Sequence, residues 1–190
     1  MHIKQGMTLK GLSEAAVSYS DSTAINLIIN QLGGLPNLTT FAHNIGNQSF
    51  NVSHYEANLN SNPKNIEDTV TPKDMAKSVQ SLVLGNVLSQ TNKQLLRMWM
   101  LNNTTGDKRI RAGAPVGWQV ADRTGSGSYG VANDIGILWF STCKPIVLAI
   151  YTVSDDKNAK PREDVLADAA KIALNDFAKS DNCISKSPHI

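Results

Sequence analysis

An α+β fold of the α/β-sandwich type is predicted for this chain by three observations. Up to about residue 106 every periodic stretch places its apolar residues at helical spacing, beyond that the period shortens to that of strands, and a last amphipathic stretch over 161–179 returns to helical spacing. The expected organisation has two parts. Residues 1–106 form a helical part with a long loop, and residues 107–190 form an antiparallel sheet covered by a C-terminal helix.

The elements follow in order. Thr8 can cap a helix over 9–18, and a second begins near Asp21 and stops at Gly33-Gly34. Leu35-Pro36 opens a third, with Leu38, Phe41, Ala42 and Ile45 on one face and Gly46 at its end. Residues 47–70 have no sustained period and hold four asparagines between Asn58 and Asn65, with Pro63 among them, which describes a loop; loops this long in compact domains are usually functional. Thr71-Pro72-Lys73-Asp74 reads as cap, first-turn proline and capping acid, ahead of Met75, Val79, Leu82 and Val83 on one face. A fifth helix covers 90–101. Strands are expected over 117–124, 135–140 and 146–153, the last two joined by a turn at Cys143-Lys144, and the final helix aligns Leu166, Ala170, Ala173 and Phe177.

Composition narrows the function. The 190 residues carry 18 Lys+Arg against 16 Asp+Glu, a net charge of +2 with no basic run, so nucleic acid is not an expected partner. The most apolar runs, 24–29 and 145–153, are core-sized, so no membrane association is expected either. The start Met1-His2-Ile3-Lys4-Gln5-Gly6 has no apolar signal region. Cys143 and Cys183 lack metal-ligand spacing and are expected as free thiols, a disulfide requiring the C-terminal tail to fold back onto Cys143. His2, His43, His54 and His189 are scattered, with His43 and His54 read as surface positions and no metal expected.

Three polar groups fall at turns or strand ends, where a scaffold presents reactive groups to a cleft. Ser20-Asp21-Ser22 joins the first two helices, Glu56 and Asn60 lie in the long loop, and Arg123-Thr124-Gly125-Ser126-Gly127 closes the first strand. Each alone has an ordinary structural reading: a helix cap, a solvated carboxylate, a basic residue before a turn. In this order they resemble class A serine β-lactamases. Tyr19-Ser20-Asp21-Ser22-Thr23-Ala24 resembles that family's S-D-N region, His54-Tyr55-Glu56-Ala57-Asn58-Leu59-Asn60 its omega loop, and Asp68-Thr69-Val70-Thr71-Pro72 the segment after it. Asn103-Thr104-Thr105-Gly106 and the stretch from Asp122 through Arg123 to Gly130 look like the extended-spectrum, cefotaxime-hydrolysing branch.

The resemblance implies a β-lactamase/transpeptidase-like fold and hydrolysis of a small-molecule β-lactam through a serine acyl-enzyme, with no metal or organic cofactor and a periplasmic or secreted location for the intact protein. It implies that Ser20 relays a proton to the lactam nitrogen, and that Glu56, with Asn60, holds and deprotonates the deacylating water. Arg123 would supply positive charge to the substrate carboxylate, Thr124 and Ser126 would donate hydrogen bonds to it, and the Ser126 amide would serve the oxyanion. Gly125 would line the same strand, and Ser22 would meet the substrate's side-chain amide.

The chain departs from the family pattern in four respects. Ser22 stands for the usual Asn, Arg123 for the commoner Lys, and Ala57 for Pro in a peptide that the resemblance implies is cis. The fourth is the S-x-x-K nucleophile. Ser61, Ser141 and Ser154 match it as text, but Pro63, a turn before Pro145 and a strand end supply no helical turn to bring Lys beside Ser. The expectation is therefore an N-terminally truncated β-lactamase without its N-terminal helix, first strands and nucleophile helix. It would be inactive alone, would leave the inward faces of 24–29 and 79–82 uncovered and would need its missing segment. The alternatives are a penicillin-binding transpeptidase or sensor, against which Glu56 and Asn60 argue, and a non-catalytic remnant.

Overall fold

The structure, a computed structural model, describes residues 6–185; His2 and His189, and the first five residues, lie outside the described residues. Helices α1 (Leu9–Tyr19) and α2 (Ser22–Gln31) are capped by Thr8, which accepts from the Gly11 amide, and by Asp21, which accepts from the Ala24 amide. Helix α3 (Leu35–Asn44) opens on the expected proline. After the long loop come α4 (Pro72–Val83), capped by Thr71, and α5 (Gln90–Leu101), capped by Ser89. A four-residue helix α6 (Ile110–Gly113), not foreseen from the sequence, leads into strands β1 (Gln119–Ser126), β2 (Ala132–Trp139) and β3 (Ile146–Thr152), and α7 (Glu163–Ser180) closes the fold.

The three strands form one antiparallel sheet in the order β1-β2-β3. Helices pack on both faces. On one face Val79 and Val83 of α4 and Met100 of α5 meet Ala121 and Ile137; on the other Ile110 of α6 and Ala170 and Leu174 of α7 meet Leu138. Burying two faces explains why β3 reads as a continuous apolar run rather than an alternating one. The α6–α7 contact is close enough that a Cβ on Gly113 would lie 2.2 Å from the Ala167 carbonyl, so only glycine fits there.

Several expectations are corrected. The cysteines are not free: Cys143 and Cys183 form a disulfide across 40 positions. The tail does fold back, because Asp181 ends α7 and its carboxylate accepts from the Cys183 and Ile184 amides, turning Ile184 into a cluster with Phe140, Cys143 and Ala178. The buried stripe of α7 runs Leu166, Ala170, Leu174, Ala178, so Phe177 is left 48% exposed, and Phe41 of α3 is likewise exposed. Both β1 and β2 reach nearer the cleft than expected, β1 to Ser126 and β2 back to Ala132, because polar Asn133 and Asp134 are part of the sheet. Ala24, Ile29 and Val79, expected on uncovered faces, are buried, whereas Leu27 is half exposed. His43 is half-buried rather than a surface position, its Nε2 3.0 Å from the Phe50 carbonyl, whereas His54 is exposed as expected and places its Nδ1 2.7 Å from Asp68.

Candidate active site

Ser20 occupies the joint between α1 and α2 as a single residue in the left-handed region, at φ 58° and ψ 37°. A serine held there costs about 1 kcal/mol of backbone strain, which the two flanking caps hold in place. The turn leaves Asp21 to cap α2 and brings Ser20 Oγ within 2.9 Å of Arg123 Nη2, which donates to it. Ser22 follows as the first residue of α2.

The long loop is organised by Asp68, whose side chain is only 3% exposed. Its carboxylate accepts from the amides of Ser53, His54 and Asn60 and from the His54 ring, so one side chain gathers both limbs of the loop. Burial opposes its ionisation, but the Asn60 and Ser53 amides and the His54 ring outweigh that and hold the carboxyl below its ordinary range. Asn26 of α2 fastens the other side. Its Nδ2 donates to the Glu56 carbonyl at 2.6 Å and its Oδ1 accepts from the Glu56 amide at 3.1 Å. The Glu56–Ala57 peptide is cis. Asn60 turns its side chain into the loop, donating to the Glu67 carbonyl at 2.9 Å and accepting from the Asn62 amide.

The third wall is the end of β1. Arg109, 4% exposed, donates to the Gly125 and Asn133 carbonyls at 2.8 Å, to Ser126 Oγ at 2.6 Å and to Glu163 at 3.2 Å, so it ties β1, β2 and the start of α7 together. Thr105 and Thr124 share a hydroxyl hydrogen bond. Burial lowers the Arg123 pKa from its ordinary value, opposed by the negative charges of Glu56, Asp122 and Asp134.

These walls enclose a cleft of about 530 Å³. Ser20, Ser22, Glu56, Asn60, Arg123, Thr124, Gly125 and Ser126 all line it, so the eight residues singled out in the sequence meet in one place. Arg109 and Thr105 line it too. Chemically the cleft offers hydroxyls beside a guanidinium on one wall and a carboxylate on the other, a set suited to binding an anion and moving protons next to it. Among the described residues no group of three His, Cys, Asp or Glu could hold a metal ion. No helix among them is long and apolar enough to cross a membrane.

Sequence reasoning passed over Asn26 and Arg109. The signal for Asn26 was present: a lone amide inside the apolar run Ala24-Ile25-Asn26-Leu27-Ile28-Ile29 has no reason to sit in a helix interior unless its side chain is in use. Arg109 gave none, since a basic residue among Lys108 and Arg111 reads as a solvated face.

The model of the beta-lactamase enzyme family matches residues 1–177. The chain is 49% identical over 174 residues to Beta-lactamase 3 of Bacillus cereus, covering 91% of this chain and 55% of that protein. It is 42% identical over 177 residues to Beta-lactamase CTX-M-97 of Escherichia coli, covering 93% and 61%. Among solved structures, a crystal structure of a beta-lactamase from Desulfarculus baarsii matches with a TM-score of 0.91 and 46% identity, over 93% of this chain and 66% of the other. The chain thus spans a little over half the length of the curated relatives it matches.

Proposed function

The chain belongs to the beta-lactamase enzyme family, and from that premise we propose that its cleft belongs to a class A serine enzyme that opens β-lactam antibiotics and hydrolyses the resulting acyl-enzyme. The observation that carries this reading is the convergence of Ser20, Glu56 and Arg123 on one cleft from three distant parts of the sequence. Class A β-lactam hydrolysis needs a proton delivered to the leaving nitrogen and another taken from the deacylating water. Ser20 Oγ, held by Arg123, is the relay for the first. Glu56 is the base for the second, its backbone held by Asn26, and Asn60 Oδ1, which accepts from the Asn62 amide, has a second lone pair to offer that water. Arg123, Thr124 and Ser126 receive the substrate carboxylate, the Ser126 amide serves the oxyanion, and Ser22 and Gly125 line the substrate's path.

The acylating serine is the missing part of this account. Ser61, Ser141 and Ser154, the three residues that match S-x-x-K, stand in loops and turns, where a lysine three residues on is not carried to the serine by a helical turn. The reading therefore requires a nucleophile from outside these 190 residues, and the chain by itself is inactive. Resistance to β-lactams and a periplasmic or secreted location for the assembled enzyme follow from the same reading.

Nitrocefin hydrolysis tests it, using the purified chain alone, the chain mixed with the N-terminal segment of a close relative, and the mixture carrying Glu56→Ala. Turnover only in the mixture, and its loss in the variant, is the expected outcome. Turnover by the chain alone would show that a serine within it is the nucleophile; silence in both would leave a non-catalytic remnant as the better reading.

A further inference from the structure

Two carboxylates that this mechanism does not use flank the stretch from Arg123 to Ser126: Asp122 precedes it on β1, and Asp134 stands beside it on β2. Asp122 and Asp134 are both 0% exposed. In the β1–β2 register Asp122 stands opposite Gly136 and Asp134 opposite Thr124, so the two are diagonal neighbours on one face of the sheet, and Gly136 puts no side chain between them. Asp122 Oδ1 accepts from Asn103 Nδ2 at 2.8 Å and from Arg111 Nη2 at 2.7 Å, and Asp134 Oδ2 accepts from the Ile110 amide at 3.0 Å. The remaining oxygens, Asp122 Oδ2 and Asp134 Oδ1, are buried with no hydrogen-bond partner among the described residues. Gly106 is packed so tightly on Asp122 Oδ2 that a Cβ there would lie 2.0 Å away.

The charged groups that face the pair are Asp107, Arg109 and Arg111 from the α6 segment and Arg123 from β1. Arg111 is committed to Asp122, Asp107 and three backbone carbonyls, and Arg109 to Glu163, Ser126 and two carbonyls, so neither makes a hydrogen bond to Asp134. Of the two buried carboxylates only Asp122 has an arginine hydrogen-bonded to it, and a buried carboxyl left without such a partner takes up a proton instead. Burial, and then the charge of Asp122, push the Asp134 carboxyl up to about 8.

We propose that Asp134 carries a proton beside the ionised Asp122, so that the buried pair holds a single negative charge, and that this proton makes Asp134 a positioning residue for the anion-binding edge of the cleft. With the pair singly charged and matched by Arg111, the positive charge of Arg123 is left for a carboxylate bound in the cleft. A second ionisation adds a negative charge beside Thr124, its cross-strand partner, and weakens that hold. The proton stands independently of any substrate; its consequence for binding rests on the reading of Arg123, Thr124 and Ser126 as the carboxylate site.

Carboxyl-carbon NMR of the chain labelled at aspartate, with Asp134→Asn and Asp134→Ala to assign the signals, tests the proton. One carbon of the pair is expected in the acid form at neutral pH, converting across about pH 8. Both carbons ionised at neutral pH would overturn the proposal, however the variants fold. Asp134→Asn, whose amide can accept from Ile110 and donate toward Asp122, is expected to remove the fall in melting midpoint that Asp134 imposes as pH rises from the ordinary 3.8 to about 8, whereas Asp134→Ala melts lower throughout; an Asn variant as damaged as the Ala variant counts against the proposal. Benzylpenicillin and its methyl ester then probe the edge. Affinity for the free acid is expected to fall roughly tenfold through the titration, with the ester and the Asn variant unaffected. Constant affinity for the acid would sink the positioning role. Failure of the free acid to bind at any pH would sink the substrate reading and the positioning role together, while the NMR result on the proton would stand by itself.

Discussion

Arg123 Nη2 donates to Ser20 Oγ at 2.9 Å, joining the end of β1 to the α1–α2 joint across 103 positions of sequence. The contact orients the hydroxyl assigned to proton relay and holds the guanidinium at the cleft, where Glu56 faces it. A charge-assisted hydrogen bond to a bound anion contributes about 1.5–3 kcal/mol. Arg123→Ala is therefore expected to raise KM for a carboxylate-bearing β-lactam by about ten- to a hundredfold in the assembled enzyme. Arg123→Lys keeps the charge and is expected to recover most of that loss, measured by steady-state kinetics on the mixture described above; equal damage in both variants would point to the guanidinium's shape instead.

Asn26 makes two hydrogen bonds to the backbone of Glu56 from within α2. Losing both is expected to cost about 1–3 kcal/mol in urea unfolding for Asn26→Ala. Hydrogen exchange at residues 55–58 should quicken in the variant while the core of α4 stays protected. Asn26→Leu, which keeps the bulk, is expected to behave like Asn26→Ala; recovery in the Leu variant would mean that packing, not hydrogen bonding, secures the loop.

Acid should loosen the long loop through Asp68. Its carboxyl titrates below the ordinary 3.8 in the folded chain, so its contribution to stability is fully present above that value and is lost as pH falls through the lower folded one. Proteolysis within residues 53–68 is expected to rise on acidification below about pH 4 in the native sequence. In Asp68→Asn it should already be fast at neutral pH and change little with acid. An unchanged cleavage rate in that variant would show that the gathered amides are held by something else.

Reduction of the Cys143–Cys183 disulfide frees a closed segment of 40 positions. Loop-closure entropy puts the stabilisation at about 4 kcal/mol at most. The urea midpoint of Cys183→Ser, or of the reduced chain, is expected to fall accordingly, with the loss concentrated at the end of α7, where Ala178 and Ile184 pack on Cys143. Equal midpoints for oxidised and reduced chains would place the tail outside the cooperative unit.

Much of the fold was legible in local signals. Helix starts were marked by Thr8, Asp21 and Thr71, whose side chains do accept from the amides they were expected to cap. The fifth helix runs over the residues its pattern gave, because capping and apolar periodicity act within one or two turns of chain. The stripe of α7 was read one position off, as Ala173 and Phe177 in place of Leu174 and Ala178, because residue size says nothing about which face meets the sheet. The polar start of β2 was missed because Asp134 is affordable in a buried strand only when the Ile110 amide, 24 positions away, reaches its carboxylate.

The sequence by itself determined the α+β order of elements, the caps, and the identity of eight of the residues that line the cleft, since these depend on local spacing or on a recognisable run of text. Only the tertiary structure decided that Arg123 reaches Ser20, that Asn26 and Asp68 hold the loop, that Arg109 binds the ends of two strands, and that the two cysteines meet. Each of those is a contact between chain segments whose separation carries no pattern. They form because folding brings polar groups out of water together, where each must find a partner or take up a proton, and the partner is set by packing rather than by distance along the chain.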